Sequence, residues 1–220
     1  MYGKIGKIEF GVEGYKALFT DPLSKQTGHP MSYPVPTASA LSSLASAIYV
    51  YSPKHAYKLA IDKVRIMNKI DYESVKNSFV HPVKGEQSLV TCRYVSDPYY
   101  QVSGHIEFTD GKTHDIEDVI KIENILERGL ENDRLNWNPY LGRRECCCYF
   151  RNEEFGTGTG FYDNTGTNVG FDNMNMFFDW TYLKNKTRIA HFGKIKMVDG
   201  VVQYPSLDSN HVCRIVKMKH

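Results

Sequence analysis

The sequence has no apolar run approaching the roughly 18 residues that a membrane-spanning helix requires. Its opening stretch, MYGKIGKIEFGVEGYK, interleaves charges with apolar side chains where a secretory leader would be continuously apolar. A soluble, cytoplasmic protein is the expectation, with no membrane partner. Charge of one sign is scarce as well: 27 Lys and Arg stand against 25 Asp and Glu, a formal net charge of +2. That balance lacks the overall electrostatic footprint of a strongly basic nucleic-acid-binding domain. Cysteine is limited to five residues, three of them consecutive at Cys146, Cys147 and Cys148. An odd number without paired short spacings fits neither a disulfide framework nor a zinc site, so reduced thiols and no metal are expected. There is no GxxxxGK[ST] phosphate loop, no HExxH helix and no GxSxG elbow. The run GTGTGF has Phe161 where a dinucleotide fingerprint wants its last glycine, and no cofactor is expected.

Aromatics and local charge clusters are what the sequence does contain. Lys4, Lys7, Lys16 and Lys25 crowd the N-terminal region, and Lys or Arg recur from Lys184 to Lys219. Fifteen Tyr and eleven Phe accompany them. Aromatics beside cations can stack unpaired bases while the cations hold phosphates. A solvated charged face is the ordinary alternative. The composition therefore permits single-stranded RNA binding without requiring it.

With 220 residues, one core with a satellite is the expected plan. Lys4 to Val12 alternates well enough for a first strand. Thr37 is a suitable N-cap for the helix TASALSSLASAIYVY, whose Ala40, Leu41, Leu44, Ala47 and Ile48 share a face. Lys58 to Ile70 reads as a second strand. Glu86 to Tyr94 and Tyr99 to Phe108 read as two more, turned at Asp97 and Pro98, and able to project as a hairpin at about 76–101. Asp115 to Gly129 predicts a second helix with the stripe Ile116, Val119, Ile122 and Leu126, ended by Gly129. Gly142 to Arg151 supplies a further strand. This order predicts an α+β fold: a ferredoxin-like, RNA-recognition-like βαββαβ domain over 1–151, with a smaller β-rich C-terminal extension over 152–220.

Four segments, in order, carry a resemblance that covers nearly the whole chain. They are ALFTDPLSK followed by MSYPVPTASALSSLASAIY from Ala17 to Tyr49, GKTH from Gly111 to His114, YLGRRE from Tyr140 to Glu145, and FGTGTGFYD from Phe155 to Asp163. Together they closely resemble the Cas-five family of CRISPR-associated proteins, subtype I-C, within the RAMP superfamily. The resemblance implies a subunit of the Cascade surveillance complex that holds the 5′ handle of the CRISPR RNA. It docks against a backbone Cas-seven subunit and a large Cas-eight subunit and meets target DNA through the complex. It also implies metal-independent endoribonuclease activity on precursor CRISPR RNA.

In such a reaction the ribose 2′-hydroxyl attacks the adjacent phosphate, leaving a 2′,3′-cyclic phosphate. The protein must move protons and stabilise phosphate charge. By the resemblance, Tyr49 matches the family's tyrosine near the end of the first helix, and an adjacent Lys-His pair belongs near the second. Two registers place that pair. Aligning the upstream GK gives Lys112 and His114 with Thr113 between them; counting back from YLGRRE gives Lys121 and Ile122. In the second register isoleucine stands where the family has its histidine, and His114 substitutes from the helix entry. His29 and His105 are weaker candidates. Lys16, Lys25, Arg143, Arg144 and the glycines Gly156, Gly158 and Gly160 are assigned to RNA binding from charge and motif position. A non-catalytic structural cap that binds mature CRISPR RNA is the alternative.

Overall fold

The computed structural model of the chain describes residues 5–20, 29–48, 57–80, 87–108, 116–132, 134–166, 174–182, 187–205 and 212–219. The chain begins with β1 (Ile5–Gly14), the short β2 (Lys16–Ala17) and α1 (Ala38–Ala45). Four strands follow: β3 (Tyr57–Ile66), β4 (Asp71–Val80), β5 (Gln87–Ser96) and β6 (Tyr99–Phe108). Next come α2 (Ile116–Glu131) and β7 (Cys148–Arg151). The remainder holds β8 (Met174–Tyr182), β9 (Thr187–Ile195), β10 (Met197–Val198), β11 (Val201–Gln203) and β12 (Val212–Lys219).

The main sheet has the order β10-β11-β3-β6-β1-β7, and its pairings are antiparallel. With β4 and β5 set aside, β1-α1-β3-β6-α2-β7 is the expected βαββαβ unit, its strands ordered second, third, first, fourth. The two sheet faces differ because side chains alternate along each strand. On β6, Tyr100, Val102, Ile106 and Phe108 are buried in the core that also takes Leu41 and Leu44 of α1 and Val119, Ile122 and Leu126 of α2. Tyr99, Gln101, Ser103, His105 and Glu107 project from the other face. No helix among the described residues is long and apolar enough to cross a membrane.

Several expectations are corrected. The strand at 87–96 does not turn at Asp97 to pair with β6. It pairs instead with β4, from Asp71↔Ser96 to Val80↔Gln87, and takes β2 on its other edge. The hairpin is therefore 71–96 rather than about 76–101. Asp97 (φ +43) lets the chain leave that small sheet for the large one, its N–H donating to the Tyr15 carbonyl at 3.0 Å.

α1 is capped as expected: the Thr37 hydroxyl accepts from Ala40 N–H at 3.1 Å. The helix is shorter than its apolar pattern implied, closing into a turn through Ala47 and Ile48. α2 runs past Gly129 to Glu131, and Ile116 is 73% exposed rather than part of the buried stripe. Gly129 does not stop the helix. It lets another segment approach, since a Cβ there would lie 2.6 Å from Ile48 Cγ2. The strand expected from Gly142 is confined to 148–151, because 141–146 closes into a turn with Leu141 N–H donating to the Cys146 carbonyl at 2.8 Å.

In the C-terminal part, β12-β9-β8 form their own three-stranded sheet, while β10 and β11 extend the main sheet beside β3. Met176, Ile195, Met197 and Val202 join the same buried cluster as Phe10 and Val102.

Candidate nucleic-acid interface

α1 is amphipathic in an unusual sense. Leu41, Leu44 and Ala45 face the core, while Ser39, Ser43 and Ser46 recur at i, i+4 and i+7 on the outer side. Opposite this hydroxyl stripe runs the segment between α2 and β7, which carries Trp137 and Tyr140. Between them lies a groove of about 450 Å³ lined by Ser39, Ser43, Ser46, Trp137 and Gly142 among others. A smaller cavity of about 140 Å³ shares Thr37, Ala40 and Gly142 with it and reaches Arg143 and Phe19. Gly142 stands at the joint for a steric reason: a Cβ would collide with the Leu18 carbonyl. That closeness follows from the Leu18 N–H donating to the Leu141 carbonyl at 3.1 Å, which draws the turn against the strand exit.

The wall carrying Trp137 is tied to α1. The Asn136 backbone N–H donates to the Ala47 carbonyl at 2.8 Å, and its side-chain amide donates to the same oxygen at 3.3 Å. Ile48, one residue further, packs against Gly129 of α2. The end of α1 is thereby fixed against both the Trp137 wall and α2.

Three of the expected RNA-binding cations gather near this side of the molecule. Lys16 lies 4.8 Å from the Tyr94 ring centroid. Arg143 is paired loosely with Glu145 at 3.5 Å, and Arg144 is exposed on the same turn. Both Lys16 and Arg143 act electrostatically on Cys146, whose thiol is nevertheless pushed up to about 11, chiefly by burial and then by Glu145. Burial likewise pushes the Cys148 thiol up to about 12. Both stay protonated at neutral pH and pack as small side chains, whereas Cys147 is exposed.

The glycines are elsewhere. Residues 153–163 cross the sheet face opposite the helices, held from beneath by Arg65, which is only 7% exposed. Its guanidinium donates to Gln101 Oε1 and the Thr157 carbonyl, both at 3.0 Å, to the Gly158 carbonyl at 3.2 Å, and to Asp163 Oδ2 at 2.6 Å. Asp163 also accepts from Gly160 N–H at 2.7 Å, and Gln101 Oε1 from Gly156 N–H at 3.0 Å. Tyr99 reinforces the attachment by donating to Glu153, and burial followed by that carboxylate raises its pKa to about 12. Gly156 and Gly158 are exposed and Gly160 is buried. The three are thus separated by the sheet from the Lys16 and Arg143 group.

This sheet face, the usual RNA platform of an RNA-recognition domain, is also rich in carboxylates. Glu9, Glu13, Asp62, Glu107 and Glu153 engage backbone N–H groups, cations or hydroxyls across it. His105 sits between two of them, with Nδ1 2.7 Å from Asp62 and Nε2 3.2 Å from Glu107.

Of the expected catalytic residues, Tyr49, Lys112 and His114 lie outside the described residues, as does Lys25. Tyr57, where β3 begins, is the register partner of Phe108, where β6 ends. Lys121 is on the outer side of α2, its side chain 65% exposed and 3.7 Å from Asp118. Ile122 faces inward and is 3% exposed. His29 is exposed.

Sequence reasoning passed over Trp137, Tyr140, Arg65 and Gln101. Trp137 was concealed in a polar loop, where an isolated large aromatic is the available signal. Arg65 could have been noticed as a charge between the apolar Val64 and Ile66.

Comparison with known proteins bears on the family and the fold. A family model described as CRISPR-associated protein (Cas_Cas5) matches residues 7–199, and the chain belongs to that family. A solved structure described as "Crystal Structure of CRISPR-associated Protein" overlays with a TM-score of 0.73 at 24% identity, over 97% of this chain and 99% of the other. The functionally uncharacterized protein SMU1763c from Streptococcus mutans overlays with a TM-score of 0.69 at 25% identity, over 97% of this chain and 100% of the other. The fold is shared along essentially the full length. No curated protein matches the chain.

Proposed function

We propose that this chain is a subtype I-C Cas-five subunit of Cascade that binds the 5′ handle of CRISPR RNA and cuts the precursor without a metal. By family resemblance its neighbours are the Cas-seven backbone and the Cas-eight large subunit. The observation that carries the RNA reading is the groove along α1. It joins an exposed aromatic, a hydroxyl stripe and a basic rim.

In cleavage, a base takes the proton from the ribose 2′-hydroxyl, the 2′-oxygen bonds to phosphorus, and the bond to the 5′-oxygen breaks. An acid protonates that leaving oxygen, and cations stabilise the added phosphate charge. His114 is assigned the principal proton transfer, Lys112 the phosphate charge and Tyr49 the remaining proton or hydrogen bond. The burial of Ile122 supports this upstream register: a side chain at that position points into the core and cannot meet RNA. Lys121, exposed on α2, remains available as a second cation.

The runner-up is a structural cap, which holds if His114 does not reach the scissile phosphate. Labelled precursor repeat RNA in EDTA separates the two readings. Cleavage to a 2′,3′-cyclic phosphate, blocked by a 2′-deoxy substitution at the cut site and reduced roughly 100-fold by His114→Ala, establishes the enzyme. Binding without cleavage leaves the cap. Full activity on the deoxy substrate rules out the mechanism.

A further inference from the structure

We infer that the groove between α1 and Trp137 is a base-binding slot, in which one unpaired nucleobase of the RNA stacks on the Trp137 indole while Arg143 holds a flanking phosphate. The inference rests on the RNA reading above and specifies how that RNA is gripped.

The size is appropriate, since a volume of about 450 Å³ falls within the usual range for small-ligand sites. The chemistry is more selective. Trp137 lines the groove and keeps 43% of its surface exposed, so its indole is open to a ligand. Base–aromatic stacking contributes in a largely sequence-tolerant way. Ser39 and Ser43 face it from α1, and each hydroxyl can both donate and accept, as the mixed edges of a base require. Gly142 provides the passage from the slot to the smaller cavity, where Arg143 stands. A guanidinium there can bond a phosphate in bidentate fashion. Its present carboxylate partner, Glu145 at 3.5 Å, is at the limit of a hydrogen bond and offers little competition.

Pre-organisation supports the same assignment. The two bonds from Asn136 to the Ala47 carbonyl fix the residue preceding Trp137 against the end of α1. The groove wall is thereby set before ligand arrives.

The experiment uses repeat RNA from the cognate array, carrying 2-aminopurine at each single-stranded position in turn, with the full chain. On binding, the fluorescence of one position should be quenched several-fold. Trp137→Leu should abolish that quench and weaken binding roughly ten- to a hundredfold, whereas Trp137→Phe should retain most of the affinity. Ser43→Phe, an exposed substitution that fills the groove from the helix side, should also abolish the quench, which keeps the test decisive if Trp137→Leu does not fold. Unchanged affinity and an unchanged quench pattern in folded Trp137→Leu and Ser43→Phe overturn the slot while leaving RNA binding intact. Absence of binding by the unmodified chain overturns both.

Discussion

Arg65 organises more of this protein than any residue whose motif attracted notice. It lies in a strand otherwise read as ordinary, yet it gathers Gln101 from one distant segment and Thr157, Gly158 and Asp163 from another. Such a centre is hard to read from sequence because its partners are separated by up to 98 positions and no local period links them. FGTGTGFYD was legible as a motif, but the role of its terminal Asp163 was not. Arg65→Ala should destabilise the fold by about 3 kcal/mol, as removal of one partner from a buried ion pair does. The linkage has a definite sign. The Arg65 guanidinium, then the Gly160 N–H, lower the Asp163 pKa below its usual value. Its contribution is therefore complete above the ordinary aspartate range and is lost as pH falls through the folded-state value. Thermal unfolding of Asp163→Asn should accordingly lack this part of the acid-side decline. A pH profile parallel to that of the parent protein would show that the pair contributes no such linkage.

The elements most legible in sequence were those with a strong period and a recognisable cap. α1 announced itself through Thr37, and the core side of α2 through Val119, Ile122 and Leu126. β4 was missed because its apolar alternation is broken: Asp71, Glu73, Ser74, Lys76 and Ser78 are exposed, and Tyr72 and Val75, which pack partly against the core, stand three apart. Gly129 was misread because glycine has two unrelated uses in helices, ending one and admitting a close neighbour, and sequence alone does not distinguish them. The distinction has a measurable consequence. In an open helix interior Gly→Ala stabilises by up to about 1 kcal/mol. Here the added Cβ is forced against Ile48 Cγ2 at 2.6 Å and the Ile48 carbonyl at 3.2 Å. Gly129→Ala should instead destabilise by roughly 1–3 kcal/mol, as overpacking does. Chemical denaturation of the purified variant checks this, and a gain in stability would return Gly129 to the role of a mere helix defect.

Across the whole molecule, the sheet divides two surfaces of different character. On one side are the serine-lined groove and the cations Lys16, Arg143 and Arg144; on the other a loop-covered face bears clustered carboxylates. The βαββαβ order was readable from sequence, but which face remained free was not, because that depends on where residues 153–163 cross the sheet. Phosphates are repelled by carboxylates and attracted by the basic rim. RNA should therefore protect Lys16 from acetylation and leave Lys63, held 4.2 Å from the Phe155 ring centroid on the covered face, as reactive as before. Mass-spectrometric footprinting with and without RNA reads both sites at once. Arg143→Ala with Arg144→Ala should weaken binding and flatten its salt dependence, since each lost phosphate contact removes counterion release. Protection of Lys63 with no change at Lys16 would assign the RNA to the opposite face.

The placement of β11 beside β3 also bears on how the protein is made. Residues 63–65 find their partners at 201–203, so a growing chain on the ribosome must synthesise more than a hundred further residues before that flank is covered. Until then Val64, Ile66 and their neighbours present an unpaired strand border during translation, a recognised invitation to chaperones and to mispairing between nascent chains. A ribosome that stops before Val201 therefore releases a sheet with one side of β3 still open.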